Sequence, residues 1–167
     1  MSPKIRVLHL FSGDLWAGAE VVVANLLEQL AADPAVEPIA VGLNDGVLIR
    51  RLAARGVETH VLAEGAQGFT RLALDCARRL RGRRIDLVHA HRYKENLLAA
   101  VVARMLHIPR TVTTVHGVPE VSPRAPLRSR LVTAIRGGGL YLLTDQEWND
   151  QVIARHQAII ASAVGDQ

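Results

Sequence analysis

Three polar segments of the sequence carry residue types used in acid–base and anion-binding chemistry, and each follows directly on an apolar stretch. They are residues 12–20, with two glycines and a glutamate, residues 91–96, with five polar or charged side chains besides a tyrosine, and residues 116–120, which open on His116 and Gly117. In open parallel sheets, ligands bind beyond the carboxyl ends of the strands. We therefore expect the three segments to converge on one polar pocket.

The first segment has the features of an anion-binding turn without a known phosphate motif. Gly13 and Gly18 allow a ligand to approach the backbone, and the helix expected after them favours anions at its N-terminus. However, Ala19 and Glu20 stand where a Walker motif needs lysine and serine or threonine, and no G-x-G-x-x-G fingerprint is present. Glu20 would repel a phosphate placed directly beside it, and an ordinary turn before a helix fits the pattern equally well.

The histidines offer proton transfer or metal ligation. His89 and His91 alternate along a strand and so share a face, which could begin a metal site. No third ligand with suitable spacing is evident, so we expect no metal, with His89 partly buried and His91 projecting from the strand end into the cleft. His116 ends another strand before a glycine, where it could relay a proton or donate to a hydroxyl or phosphate, although a loop-capping role is the alternative.

These segments are predicted to be positioned by alternating strands and helices. Apolar and β-branched runs predict strands at 5–11, 38–43, 57–62, 85–90, 111–115 and 140–143, and helical spacing predicts helices at 19–32, 47–55 and around two apolar stripes. The stripes consist of Phe69, Leu72, Ala73, Cys76 and Leu80, and of Leu97, Leu98, Val101, Val102 and Met105. Such alternation predicts a doubly wound, mostly parallel, Rossmann-like α/β sheet in a single domain over residues 1–145. Residues 146–167 are expected to form a helical tail.

Composition is that of one folded domain. The chain has 167 residues, 49% of them hydrophobic and 22% charged, and aromatics make up only 4%, which suits an aliphatic core around a parallel sheet. The single cysteine excludes an internal disulfide and favours a reducing cytoplasm. No apolar run reaches the roughly 20 residues of a membrane span, and the N-terminus has no signal-peptide pattern.

The basic residues form two groups within a net charge of +4. The first, at 78–84, falls at a predicted helix end, where cations complement the helix dipole and a solvated face is the default. The second consists of Arg124, Arg128, Arg130 and Arg136, and it is suited to anionic lipid or a lipid-linked phosphate, so we expect peripheral contact with a membrane surface. Nucleic acid is not an expected partner, because no aromatic residues interleave with the basic ones.

Three motifs together resemble the N-terminal domain of family 4 glycosyltransferases. Residues 6–20 (RVLHLFSGDLWAGAE) resemble the opening strand, glycine loop and first helix of that family, residues 86–96 (DLVHAHRYKEN) resemble its D-x-V-H-x-H strand and loop, and residues 113–117 (TTVHG) resemble its T-x-H-G strand end. Order and spacing also agree. The resemblance covers about residues 4–120, and it implies the N-terminal, acceptor-side half of a two-domain GT-B enzyme.

The resemblance also implies an activity and a set of site residues. The family performs a retaining transfer of a sugar from a nucleotide-sugar donor to an acceptor, here a glycan or a lipid-linked molecule, without an obligatory metal or other cofactor. Carried over to this sequence, His116 would contact the transferred sugar as the catalytic residue, and Gly18 would lie near the donor diphosphate. The substrate-binding residues implied in all are Gly18, Glu20, His91, Arg92, Lys94, Asn96 and Gly117.

Two departures from the family pattern leave alternatives open. Ala17 stands where the family often has the first glycine of a pair, and nothing after Arg136 resembles the second, donor-binding domain. We therefore expect this chain to need a donor-binding domain or partner chain and to be inactive alone. The alternatives are a non-catalytic binding module derived from such an enzyme and, with less support, an unrelated nucleotide- or flavin-binding domain.

Overall fold

The fold is a sheet of parallel strands connected by helices. The computed structural model describes residues 3–13, 16–62, 65, 68–115, 140–144 and 158. Within them the strands are β1 (Ile5–Phe11), β2 (Val36–Gly42), β3 (Glu58–Val61), β4 (Leu87–Ala90), β5 (Thr111–Val115) and β6 (Leu140–Thr144), and the helices are α1 (Gly18–Ala32), α2 (Val47–Ala54), α3 (Phe69–Leu80) and α4 (Tyr93–Leu106). The predicted strands at 5–11 and 111–115 are confirmed residue for residue, and the other elements differ by a few residues at their ends.

The strand order is β3-β2-β1-β4-β5-β6, and every pairing between these strands is parallel. Helices α1 to α4 connect the successive strands from β1 to β5, and the sheet extends outward from β1 on one side and from β4 on the other. The predicted doubly wound, Rossmann-like fold is thereby confirmed. The point at which the order reverses lies between β1 and β4, and such reversals leave a crevice at the carboxyl edge of a sheet.

Two apolar layers cover the two faces of the sheet. Leu8 and Leu10 of β1 belong to the layer that includes the buried residues of α3 and α4, whereas Val7 and Phe11 belong to the layer that includes those of α1 and α2. This alternation along one strand is what a strand buried on both faces requires. The central strands are thus covered by apolar side chains on both faces.

Two predicted buried residues are exposed instead. Phe69 and Met105, at the ends of the predicted stripes, are 37% and 40% exposed. In α4 the buried face runs through Leu98, Ala99, Val102 and Ala103, so the contact face is turned toward small residues that let the helix approach the sheet closely. Apolar spacing alone emphasises the large side chains and misses the alanines.

Asp86 stabilises the junction between the central strands just before β4. Its Oδ2 accepts a hydrogen bond from the Arg6 backbone N–H at 2.9 Å, and its own N–H donates to the Arg6 carbonyl at 2.9 Å. Arg84 Nε donates to the other carboxylate oxygen, also at 2.9 Å. These contacts secure the amino-terminal side of the β1–β4 pair, opposite the edge where ligands are expected. None of the helices described here has the length and apolarity needed to cross a bilayer.

Candidate functional site

Helix α1 starts at the carboxyl edge of the sheet. It begins at Gly18, and its N-cap residue, Ala17, has no side chain that could accept a hydrogen bond from the first turn. Gly18 is exposed, and a Cβ placed on it would meet none of the described residues within 4 Å. Packing among those residues therefore does not require glycine at this position. The first N–H groups of a helix have no partner within the helix, so a helix start of this kind is suited to an anion such as a phosphate.

The negative charge of Glu20 is compensated within the protein. Its side chain is only 2% exposed, its Oε2 accepts from the Ala17 N–H at 3.2 Å, and its Oε1 accepts from Arg92 at 2.7 Å. Arg92 comes from the β4–α4 loop, 72 residues further along the chain. The repulsion that Glu20 would exert on a phosphate is reduced because its carboxylate is engaged by a cation and by the helix start.

A second contact joins the same two loops. The Ser12 hydroxyl, directly after β1, donates a hydrogen bond to Oε1 of Glu95 in the first turn of α4. Glu95 is 1% exposed, and among the described residues its Oε2 has no hydrogen-bond partner. A buried carboxylate oxygen of this kind is costly unless something donates to it. Residues 12–20 and 91–96 therefore do converge, across the reversal of strand order.

The β2–α2 loop closes against the first loop through a pair of glycines. A Cβ on Gly46 would stand 1.8 Å from the Gly13 carbonyl oxygen, closer than atoms can approach. Gly46 is thus required by packing between two loops, in contrast to Gly18 in the open. A Cβ on Gly13 would make an ordinary contact with Leu48 at 3.7 Å. Gly46 is therefore a structural glycine, whereas Gly18 is a candidate for contact with a ligand.

Three buried histidines lie beneath this edge, on the face of the sheet covered by α1 and α2. His9 of β1 pairs in register with His89 of β4, and His91 follows β4 directly. Nδ1 of His9 stands 3.2 Å from Nε2 of His91, and the ring centroids of His89 and His91 are 4.1 Å apart. Nε2 of His89 lies 2.8 Å from the Thr114 hydroxyl of β5. One ring nitrogen from each of the three histidines lies within 4.8 Å of the others.

The predicted site residues fall into three positions. Gly18, Arg92 and Lys94 are exposed at the carboxyl edge, and Asn96 is half-buried there. Glu20 and His91 are brought to the same edge but are buried, each at 2% exposure, so His91 does not project into an open cleft as expected. His89 is fully buried rather than partly so. His116 and Gly117, with the whole 116–120 segment, lie outside the described residues, as does the second arginine group.

Three residues at this edge of the sheet were not predicted as site residues from the sequence, namely His9, Ser12 and Glu95. His9 sits in an apolar strand, and its parallel register with His89 depends on a strand pairing that one sequence does not reveal. Ser12 and Glu95 stand within the two loops that were singled out, but their contact depends on the same pairing. The available signal was the polarity of His9 itself, since a histidine inside a buried strand needs a polar partner.

The geometry defines a class of protein, namely a Rossmann-like domain with polar loops that meet at the carboxyl edge of the sheet, at the reversal between β1 and β4. Comparison with protein families makes the class specific. The model of Glycosyltransferase Family 4 matches residues 16–160, most of the chain and beyond the 4–120 segment over which the resemblance was visible. The chain belongs to that family. A search of curated proteins gives no significant match.

Solved structures with the same fold are distant in sequence. Acinetobacter baumannii MurG is similar with a TM-score of 0.61 and 13% identity, over 88% of this chain and 43% of that one. A glycosyltransferase from Rickettsia africae is similar with a TM-score of 0.60 and 15% identity, over 76% of this chain and 35% of that one. Anabaena HepE, solved in complex with UDP-glucose, is similar with a TM-score of 0.60 and 15% identity, over 95% of this chain and 40% of that one.

At these identities the likeness concerns the fold. In each case this chain spans less than half of the solved protein, so it corresponds to one part of a longer architecture. The fold class predicted from the sequence, one half of a GT-B arrangement, agrees with these neighbours.

Proposed function

We propose that this chain forms the acceptor-side domain of a retaining glycosyltransferase, which transfers a sugar from a nucleotide-sugar donor to a glycan or lipid-linked acceptor. The observation that carries the proposal is the carboxyl edge between β1 and β4, where the exposed start of α1 and the Glu20–Arg92 pair lie together. Family membership favours sugar transfer at this edge. Turnover then requires a donor-binding domain, on the same chain or another.

Each described residue has a role suited to its surroundings. Gly18 lets the donor diphosphate approach the N–H groups of α1, where oriented donors stabilise negative charge. Arg92 holds Glu20 and, being 45% exposed in its side chain, presents positive charge to the crevice. Lys94 and Asn96, at the start of α4, offer hydrogen-bond donors to acceptor hydroxyls. Glu20 is a positioning residue for Arg92 and for the loop.

His116 and Gly117 are proposed from the family motif alone, with His116 as the catalytic residue in contact with the transferred sugar. The transfer itself is proposed to proceed without a metal. A cytoplasmic location, with the arginines at 124–136 facing an anionic membrane, accompanies the proposal when the acceptor is lipid-linked. HepE was solved with UDP-glucose, which makes UDP-glucose a reasonable first donor probe for this chain.

The test separates donor binding from transfer. The chain is produced alone and together with a donor-binding domain from a family 4 glycosyltransferase, and each preparation is incubated with radiolabelled UDP-sugars and a glycan and lipid extract. We expect label in the extract only when both parts are present, with loss of at least tenfold in the His116→Ala and Lys94→Ala variants. Transfer that is unaffected by both substitutions would contradict the proposal and leave a non-catalytic binding module as the better interpretation.

A further inference from the structure

We propose that His9, His89 and His91 form a binding site for one divalent transition-metal ion of the zinc type, separate from the sugar-transfer chemistry. The sequence prediction of no metal depended on the lack of a third ligand, and the β1–β4 pairing supplies it in His9. All three rings are at most 2% exposed. Neutral imidazole nitrogens suit zinc, copper, nickel or iron rather than magnesium or calcium.

The distances fit coordination. With zinc–nitrogen bonds of about 2.05 Å, two ligands at a tetrahedral angle stand about 3.3 Å apart. One ring nitrogen of each histidine lies within 4.8 Å of those of the other two, and Nδ1 of His9 is 3.2 Å from Nε2 of His91. Small rotations of the imidazole rings that close the widest separation by up to roughly 1.5 Å bring the set to the spacing that zinc requires. Water can complete the four-coordinate shell.

The surroundings resemble those of a built site. Histidines that bind metals are usually oriented through their other ring nitrogen by a hydrogen bond to a neighbouring group. The Thr114 hydroxyl, 2.8 Å from Nε2 of His89, supplies such a contact, so His89 would use Nδ1 toward the metal.

A bound ion would stabilise the crevice from below. His9 and His89 belong to the two strands on either side of the reversal, and His91 opens the loop that carries Arg92. Coordination would hold β1, β4 and the beginning of that loop together without contact with substrate. Its expected consequence is thermal stability, which the folded protein gains from any ligand that does not bind the unfolded chain.

The experiment uses the untagged full chain, stripped with chelator and titrated with cobalt(II) and then zinc. We expect visible absorption from cobalt that saturates at one equivalent, displacement by zinc, and a rise in melting temperature with zinc. His9→Gln should weaken zinc affinity more than about a hundredfold, and Thr114→Val, which removes only the outer hydrogen bond, about tenfold. His60→Gln combined with His107→Asn removes two histidines away from the cluster and should change nothing.

Circular dichroism of each variant confirms that it is folded before it is titrated. Should His9→Gln fail to fold, Thr114→Val still decides the matter, because it keeps all three ligands. The proposal is overturned if the parent chain takes up no stoichiometric metal, if Thr114→Val and any folded His9→Gln bind as the parent does, or if the His60/His107 double variant abolishes binding. The cluster is then an ordinary hydrogen-bonded one. None of these results depends on sugar transfer, so the proposed function is tested separately.

Discussion

Replacing Gly18 with alanine separates the structural from the functional interpretation of the glycine loop. Gly18 is the first residue of α1, its backbone lies outside the left-handed region, and an added Cβ would meet no atom of the described residues within 4 Å. The fold therefore places no demand for glycine here. If a donor diphosphate approaches this backbone, the added methyl group occupies the space that the phosphate needs.

The two effects have opposite signs. Alanine at a compatible backbone position stabilises a protein by about 0.4–1 kcal/mol, mainly because the unfolded chain is less flexible. For a domain of this size that corresponds to a rise of roughly 1–4 °C in melting temperature. Displacing a reacting group by about 1 Å can cost on the order of a hundredfold in rate. We therefore expect a more stable protein in which kcat/KM for sugar transfer falls tenfold to a hundredfold.

The assay pairs thermal unfolding of the chain with transfer kinetics measured in the presence of the donor-binding domain. Gly46→Ala is the matched contrast, because its Cβ would overlap the Gly13 carbonyl oxygen. It should lower stability by about 1–3 kcal/mol as the two loops are forced apart. A Gly18→Ala enzyme that is stabilised yet transfers sugar at the parent rate would refute the placement of the diphosphate at this helix start.

Three further predictions concern charge and reactivity. Arg92→Ala leaves the buried Glu20 carboxylate without its cation, so we expect a loss of about 1–2 kcal/mol in stability and weaker nucleotide-sugar binding. Adding Glu20→Gln should partly restore both properties, because the uncompensated charge is then removed. An equal loss in the double variant would argue against the pairing of Glu20 with Arg92. Burial raises the pKa of the Cys76 thiol to about 12, so thiol reagents at pH 8 should modify Cys76 only after the protein unfolds. Rapid labelling of the native protein would show that Cys76 does not lie in the core. The hydrogen bond from Arg51 lowers the pKa of Glu28 below its ordinary value of 4.5. The ionised Glu28 therefore stabilises the folded protein above that pH, and this contribution is lost as the pH falls through the pKa of the folded state. Acid unfolding of Glu28→Gln should show a shallower pH dependence, and an unchanged profile would mean that the pair contributes nothing to stability.

The strands and helices were predictable because the local pattern of apolar and polar residues determines each of them. The strand at 5–11 was located residue for residue, since a run of large and β-branched apolar side chains has few alternatives when both faces are buried. Helix ends were less well located. Helix α4 begins at Tyr93, among the polar residues of the predicted loop, because nothing in that loop prevents helical backbone and the chain need only turn once after His91.

The site was predictable only as an edge of the sheet. That residues 12–20 and 91–96 meet follows from parallel alternation, and the contacts of Ser12 with Glu95 and of Glu20 with Arg92 confirm it. Which side chains touch was not predictable, because it depends on the register of β1 against β4. A shift of one residue in that register would move His9 away from His89.

The pairing of Glu20 with Arg92 changes the interpretation of Glu20, whose charge in the sequence argues against phosphate binding. In the sequence, a glutamate in the first turn of α1 is a repulsive charge close to Gly18, the glycine expected to admit a diphosphate. In the structure its two oxygens are taken by the Ala17 N–H and by Arg92, so the carboxylate orders the loop and fixes a cation at the crevice. Because Arg92 directly precedes α4, whose first turn holds the proposed acceptor residues Lys94 and Asn96, one ion pair connects the segment proposed to face the donor with the segment proposed to face the acceptor. A displacement of either segment should therefore displace the other, and substitution of Arg92 should weaken donor binding and acceptor binding together.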